Sequence, residues 1–238
     1  MTEAEWLACT DAGLRTEVLH ARRSGRKCWL FAAASCARAG HFLPPEILRQ
    51  FADLSERLAD AEAPPEVRVA VRDAIRGWKE QLIMWQDFVR AAFVRDFEDN
   101  LQAPGKRGYN AARWVIALTS LPPWLGWDDL EERGPQLQQP PAAEAGEYRR
   151  RLADLLRDLL GNPFRPVSSS PDWLLSNGGA AVQLAQAIYA ERAFDRLPIL
   201  ADALEDAGCD DDAILAHCRQ PGEHVRGCWV VDLLLGKG

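Results

Sequence analysis

Apolar residues recur at spacings of three and four along most of the chain, and this period constrains the fold more than any other feature. After Pro44 and Pro45 the apolar positions are Ile47, Leu48, Phe51, Leu54 and Leu58. This spacing forms one apolar stripe on a helix that begins at the prolines. A second run follows Pro64 and Pro65; its positions are Val67, Val71, Ile75, Trp78, Leu82, Trp85, Phe88, Phe93 and Phe97. The pattern predicts an all-α chain.

Further helices are predicted on both sides of these two. Thr2 and Glu5 have the spacing of a capping box. Residues 25–40 are rich in alanine and bounded by glycines, which favours a central helix. Residues from Glu147 onward form another helix that ends at Gly161. The last predicted helices span residues 180–194, 197–207, 212–219 and 225–235. Such short segments predict a multi-helix bundle or a stack of short antiparallel helices.

The middle of the chain differs in composition. Residues 101–145 contain PGKRG, LPPWLGW and RGPQLQQPP, which are typical of an irregular connection rich in proline and glycine. We therefore predict an N-terminal helical block at 1–100, an irregular connection at 101–145 and a C-terminal helical block at 146–238. The alternative is one continuous domain.

Composition and charge narrow the class of protein. The chain of 238 residues is 47% hydrophobic and 26% charged, as in soluble globular proteins, and has no run of apolar residues long enough to cross a membrane. Acidic residues near the start, where a secretory signal carries basic ones, favour a cytoplasmic location. A net charge of −7 disfavours a nucleic-acid partner.

The cysteines and histidines lie near the two ends of the chain. Those at the front are Cys9, His20, Cys28, Cys36 and His41, and those at the back are Cys209, His217, Cys218, His224 and Cys228. These two residue types most often bind metals or act as nucleophiles near neutral pH. If the two ends meet in the fold, they share one site.

The back end carries the candidate metal site, which consists of His217, Cys218, His224 and Cys228. His224 and Cys228 stand four apart at the start of a predicted helix, so both side chains point to one face, as two ligands of a tetrahedral zinc ion require. His217 or Cys218 comes within range across the turn at 220–223. A further ligand would come through tertiary contact from the front end, from Cys28, Cys36 or His41.

Two other interpretations of these residues stay open. Cys28 and Cys36 suit small packing positions in an alanine-rich helix, and the histidines suit structural hydrogen bonds. Alternatively, Cys228 or Cys218 is a nucleophile activated by a neighbouring histidine.

Three other motifs have structural explanations. The aspartates at 210–212 precede an apolar helix and suit N-capping. Asn177, Gly178 and Gly179 indicate a turn followed by a helix start. The dense charges between Glu191 and Asp206 are typical of a solvated face with near-neighbour ion pairs.

Several segments resemble an uncharacterised family of bacterial proteins. They are the opening MTEAEWLACTD, the segment RKCWLFAAASCARAGHFL, and NPFRPV, AQAIYAERAFDRLPILADALEDAGCDDDAILAHCR and HVRGCWVVDLLLGK near the end. The resemblance covers both ends of the chain. It implies no activity, cofactor or catalytic residue, because none is established for that family.

Two functions of different classes follow from the sequence. The first is a helical protein-interaction or regulatory module with a protein partner, supported by nine tryptophans spread over amphipathic helices. The alternative is a zinc-stabilised domain, or an enzyme dependent on cysteine and histidine, with its site in the C-terminal block.

Overall fold

A computed structural model describes residues 2–10, 25–36, 45–60, 66, 69, 73 and 142–237 of the chain. In these ranges it forms eight α-helices with defined bounds and no β-strand. The helices are α1 (Glu3–Ala8), α2 (Gly25–Cys36), α3 (Pro45–Ala59), α4 (Ala142–Leu160), α5 (Pro171–Glu191), α6 (Leu197–Asp206), α7 (Asp212–Arg219) and α8 (Trp229–Leu235). The all-α prediction is thus confirmed for the described part of the chain, in which none of the helices is long and apolar enough to span a membrane. The prediction that the fourth of these helices begins at Glu147 is wrong, since α4 begins at Ala142 and includes the last four residues of the predicted connection at 101–145. The rest of that connection and most of the helix predicted from Val67 lie outside the described part.

The chain divides into two compact units. One contains Cys9–Asp154, and the other contains Met1–Ala8 together with Leu155–Gly238. In the first unit α2 packs against α3. The small apolar side chains of α2, including Cys28, are buried. Arg26 of the same helix forms an ion pair with Asp60 at 3.2 Å.

The second unit is stabilised in part by its N-terminal helix. The capping box of α1 forms as predicted: the Thr2 amide donates to Glu5 Oε2 at 2.7 Å and the Glu5 amide donates to Thr2 Oγ1 at 3.3 Å. Glu3 then accepts a hydrogen bond from Asn162 and pairs with Arg165, each just beyond the end of α4. These contacts hold α1 beside the last turn of α4.

The apolar core of this unit lies among α5, α6, α7 and α8. Helix α5 packs against α6 and α8, and α6 packs against α7. These helices contribute core side chains that are almost completely buried, including Ala185, Ile188, Leu200, Leu204, Ile214, Val230 and Val231. The short helices therefore bury one face each, as the spacing of their apolar residues requires.

Two features of the C-terminal helices depend on left-handed backbone. Asn177, Gly178 and Gly179 have φ of 52°, 67° and 76° and interrupt α5, which confirms the predicted turn before the helix that was expected from residue 180. The prediction that the last helix begins at residue 225 is wrong, since α8 begins at Trp229. Gly227 has φ of 95°, a conformation that ends any helical run through this position.

Candidate metal centre

The first member of the site comes from the last turn of α4. Asp158 follows the buried apolar residues Leu155 and Leu156, and its own side chain is only 4% exposed. The helix ends at Leu160, and Gly161 continues the chain with φ of 62° while its amide donates to the Arg157 carbonyl. Many helices end with a left-handed glycine of this kind, and Asp158 lies in the last turn before it.

The second member, His217, is positioned by α7. Asp211 caps this helix by accepting hydrogen bonds from the amides of Ala213 and Ile214 at 2.9 and 3.2 Å, which confirms the capping role predicted for the aspartates at 210–212. His217 lies in the last turn and is buried. Because successive residues of a helix point about 100° apart, His217 faces the site while its neighbour Cys218 lies in the apolar core.

The last two members flank a tight turn between α7 and α8. The Cys228 amide donates to the Val225 carbonyl at 2.9 Å, and Cys228 is the N-cap residue of α8. His224 precedes this turn, and its side chain is 6% exposed. The turn, rather than a helix face, brings His224 and Cys228 to the same place.

These four residues form a candidate metal-binding group. One ligand atom from each of Asp158, His217, His224 and Cys228 lies within 4.8 Å of all the others. His217 Nε2 is 3.2 Å from Cys228 Sγ and 3.2 Å from Asp158 Oδ1. His224 Nδ1 is 2.6 Å from the same Oδ1. The other carboxylate oxygen, Oδ2, accepts a hydrogen bond from the Val225 amide at 3.0 Å.

Charge inside the group is carried by the carboxylate. Burial by itself raises the pKa of Asp158, but hydrogen bonds from His217 and His224 hold that pKa below its usual value. For Cys228, burial raises the pKa well above the ordinary thiol value and the nearby Asp158 raises it further, against a smaller opposing effect of the Val231 and Val230 amides. The metal-free group is therefore a carboxylate beside a neutral thiol near pH 7.

Two residues outside the group hold His217 in place. Gln220 Nε2 lies 3.2 Å from His217 Nδ1. The ring of Trp229 lies 5.2 Å from that of His217, centroid to centroid. A Cβ added to Gly161 would lie only 3.0 Å from the Trp229 ring, so that glycine leaves room for the indole beside the site.

Three of the four residues predicted for the site come together. His217, His224 and Cys228 belong to the group, whereas Cys218 does not. The fourth member is Asp158, which was not predicted from the sequence. Its position beside the leucines of the apolar face of α4 could have indicated a buried carboxylate, and aspartate is rarely buried without a partner.

Two other cysteines that the structure describes are buried and are not members of the metal-binding group. Cys209 is buried in the core of the C-terminal helices. Cys28 is buried in α2, where burial raises the pKa of its thiol to about 12. His20, His41 and the side chain of Cys36 lie outside the described part, so a ligand from the front of the chain stays a prediction.

The side chains between Glu191 and Asp206 whose ion pairs are described are solvated, as predicted, but only one of these pairs joins near neighbours. Arg196 pairs with Glu191 at 3.0 Å. Arg219 pairs with Asp202 at 2.8 Å and also with Glu205. All five side chains are at least two-fifths exposed, so these pairs stabilise the unit only weakly.

Comparison of the chain with protein-family models, curated proteins and solved structures gave no match, so its function has to be argued from this group of side chains.

Proposed function

We propose that the unit formed by Met1–Ala8 and Leu155–Gly238 is a metal-binding domain, and that a zinc ion at the group of Asp158, His217, His224 and Cys228 stabilises it. The observation that carries this proposal is the convergence of four side chains of metal-binding types from three separate parts of the chain. An ion held there links α4, α7 and the start of α8.

The distances support a first-row metal of small radius. With zinc bonds of about 2.0–2.3 Å, the ligand atoms of a tetrahedral site lie about 3.3 to 3.6 Å apart. His217 Nε2 already lies 3.2 Å from both Cys228 Sγ and Asp158 Oδ1. Both separations are within about 0.4 Å of those expected for two ligands of one ion. The ligand atoms of Cys228 and Asp158 lie within 4.8 Å of each other.

The types of ligand favour zinc over softer or harder ions. One thiolate, imidazole nitrogen and one carboxylate oxygen match the borderline softness of Zn²⁺. Calcium and magnesium prefer an all-oxygen shell, and Cu(I) prefers several sulfur ligands. Binding requires the Cys228 thiol to lose its proton, because the thiolate is the ligand.

The burial of the group does not suit a thiol nucleophile. In a cysteine–histidine pair oriented by a third group, the imidazole uses one nitrogen for the thiol and the other for the orienting group. His217 has contacts of this kind, with Nε2 near Cys228 Sγ and Nδ1 near Gln220. However, Cys228 is fully buried and the pKa of its thiol is raised, so it is poorly placed to attack a substrate.

A direct metal titration tests the proposal. The full chain, stripped with a chelator, is titrated with Co²⁺ and then with Zn²⁺ as competitor. We expect one Co²⁺ per chain, with a thiolate-to-cobalt charge-transfer band that zinc removes. His217→Ala should lose this band, while Cys218→Ser should keep it. A wild-type chain that binds no Co²⁺ in this assay refutes the proposal.

A protein partner stays a separate prediction. Its support among the described residues is the exposure of large apolar side chains, notably Leu175 on α5 at 76% and Ile199 on α6 at 58%. Large exposed apolar groups are common at interfaces, but single ones are also ordinary on monomers. Replacing both by serine should abolish partner capture without changing metal binding if they belong to an interface.

A further inference from the structure

The contacts within the metal group are unequal. His217 Nε2 lies 3.2 Å from Asp158 Oδ1, but His224 Nδ1 lies only 2.6 Å from it. Two ligand atoms of one tetrahedral ion lie about 3.3 Å apart. The longer distance thus fits a pair of ligands, while the shorter one fits a charge-assisted hydrogen bond.

We infer that His224 is a positioning residue that holds the Asp158 carboxylate, and that the protein ligands of the metal are Asp158, His217 and Cys228. The inference rests on the metal-binding function proposed above and assigns roles within that site. A tetrahedral ion with three protein ligands takes its fourth ligand from elsewhere. That ligand would be water or a small anion.

The second nitrogen of His224 is buried as well. His224 Nε2 has no hydrogen-bond partner in the described part of the chain. An unpaired ring nitrogen costs free energy when it is buried, whether it is a donor or an acceptor. The role assigned to His224 therefore rests on the distances to Asp158 Oδ1.

Coordination through Nε2 is the remaining alternative for His224. With Nδ1 bonded to Asp158 Oδ1, a metal at Nε2 would lie on the far side of the imidazole from that oxygen. Yet Oδ1 and Cys228 Sγ are the atoms that lie 3.2 Å from His217 Nε2. His217 Nε2, Cys228 Sγ and Asp158 Oδ1 therefore form a more compact ligand set than one that includes His224 Nε2.

The Val225 amide completes the support for the carboxylate. It donates to Asp158 Oδ2 at 3.0 Å, so His224 and Val225 each hold one carboxylate oxygen. Contacts of this kind orient metal ligands, and their loss typically weakens metal binding by about 10–100-fold. The loss of a true ligand has a larger effect.

Three variants of the full chain distinguish the two roles in a Co²⁺ titration. His224→Asn keeps an amide donor near the position of Nδ1, whereas His224→Leu removes it, and His217→Asn removes a ligand. We expect a change in Kd of less than about 10-fold for His224→Asn, about 10–100-fold for His224→Leu and at least about 10³-fold for His217→Asn. The visible Co²⁺ bands at saturation should be unchanged in both His224 variants. Far-ultraviolet circular dichroism verifies that each variant is folded.

Azide tests the fourth position in the wild-type protein loaded with Co²⁺. We expect a saturable shift of the visible bands as azide replaces water. Unchanged bands would mean that the protein fills all four positions, which overturns the assignment. A His224→Asn variant that loses as much Co²⁺ affinity as His217→Asn, or that has altered visible bands, would also overturn the assignment. A wild-type chain without bound Co²⁺ would instead overturn the proposed function itself.

Discussion

Replacing Cys228 by serine is the sharpest test of the metal centre, because the chain supplies a matched control at Cys218. Both thiols are buried, with exposures of 0% for Cys228 and 1% for Cys218. Both variants exchange a thiol for a hydroxyl in the interior, at a cost of about 1–3 kcal/mol if the hydroxyl stays unpaired. Only Cys228 belongs to the metal group.

The measured quantity is the increase in unfolding free energy that zinc produces. At a free zinc concentration of 100 times Kd, a ligand that binds only the folded state adds about 2.7 kcal/mol. If the loss of the thiolate weakens binding by about 10³-fold, the same zinc concentration adds less than about 0.1 kcal/mol. In a unit of this size the difference corresponds to about 10–20 °C in Tm.

The assay is urea unfolding followed by far-ultraviolet circular dichroism, with buffered zinc and with a chelator. The free energy of unfolding of each variant is compared with and without zinc, so the cost of the buried hydroxyl cancels. We expect Cys218→Ser to keep the zinc-dependent increment and Cys228→Ser to lose it. An equal increment in both variants, or its loss from both, would refute the assignment of Cys228 as the thiolate ligand.

Three further predictions follow from the same structure. Because burial raises the pKa of Cys228, metal binding displaces the thiol proton. Loss of this one proton predicts that Co²⁺ affinity rises about tenfold per pH unit near neutrality in a pH-stepped titration, and a pH-independent Kd would contradict this. Gly161→Ala should destabilise the unit by about 1–3 kcal/mol in urea unfolding, because φ is 62° and the new Cβ would press on Trp229. Gly222→Ala is the control and should be near neutral, because the space around its Cβ is open. Asp211→Ala should cost about 0.5–2 kcal/mol by loss of the α7 cap, and an unchanged urea midpoint would count against that cap.

Features set by neighbouring residues were predictable from the sequence. The capping box of Thr2 and Glu5 and the cap at Asp211 depend on contacts over two or three residues, and both form. The turn at Asn177–Gly179 forms for the same reason, since its residues accept left-handed backbone. Short-range interactions of this kind need no knowledge of the tertiary fold.

The pairing of His224 with Cys228 was predicted from an incorrect local structure. A spacing of four suggested one helix face, but Gly227 with φ of 95° makes this segment a turn, and α8 begins only at Trp229. The two residues still join one group, because the turn folds back towards α4 and α7. Their proximity is therefore a tertiary effect.

The sequence by itself determined the helical period, the caps and the restriction of cysteine and histidine to the two ends. The tertiary structure alone decided which of these side chains share a site. Asp158 contacts His224 across 66 positions of the chain. Cys218 is turned into the core because it follows His217 on the same helix. Periodicity specifies which face of a helix is buried, but only the packing of several helices specifies which buried polar groups meet.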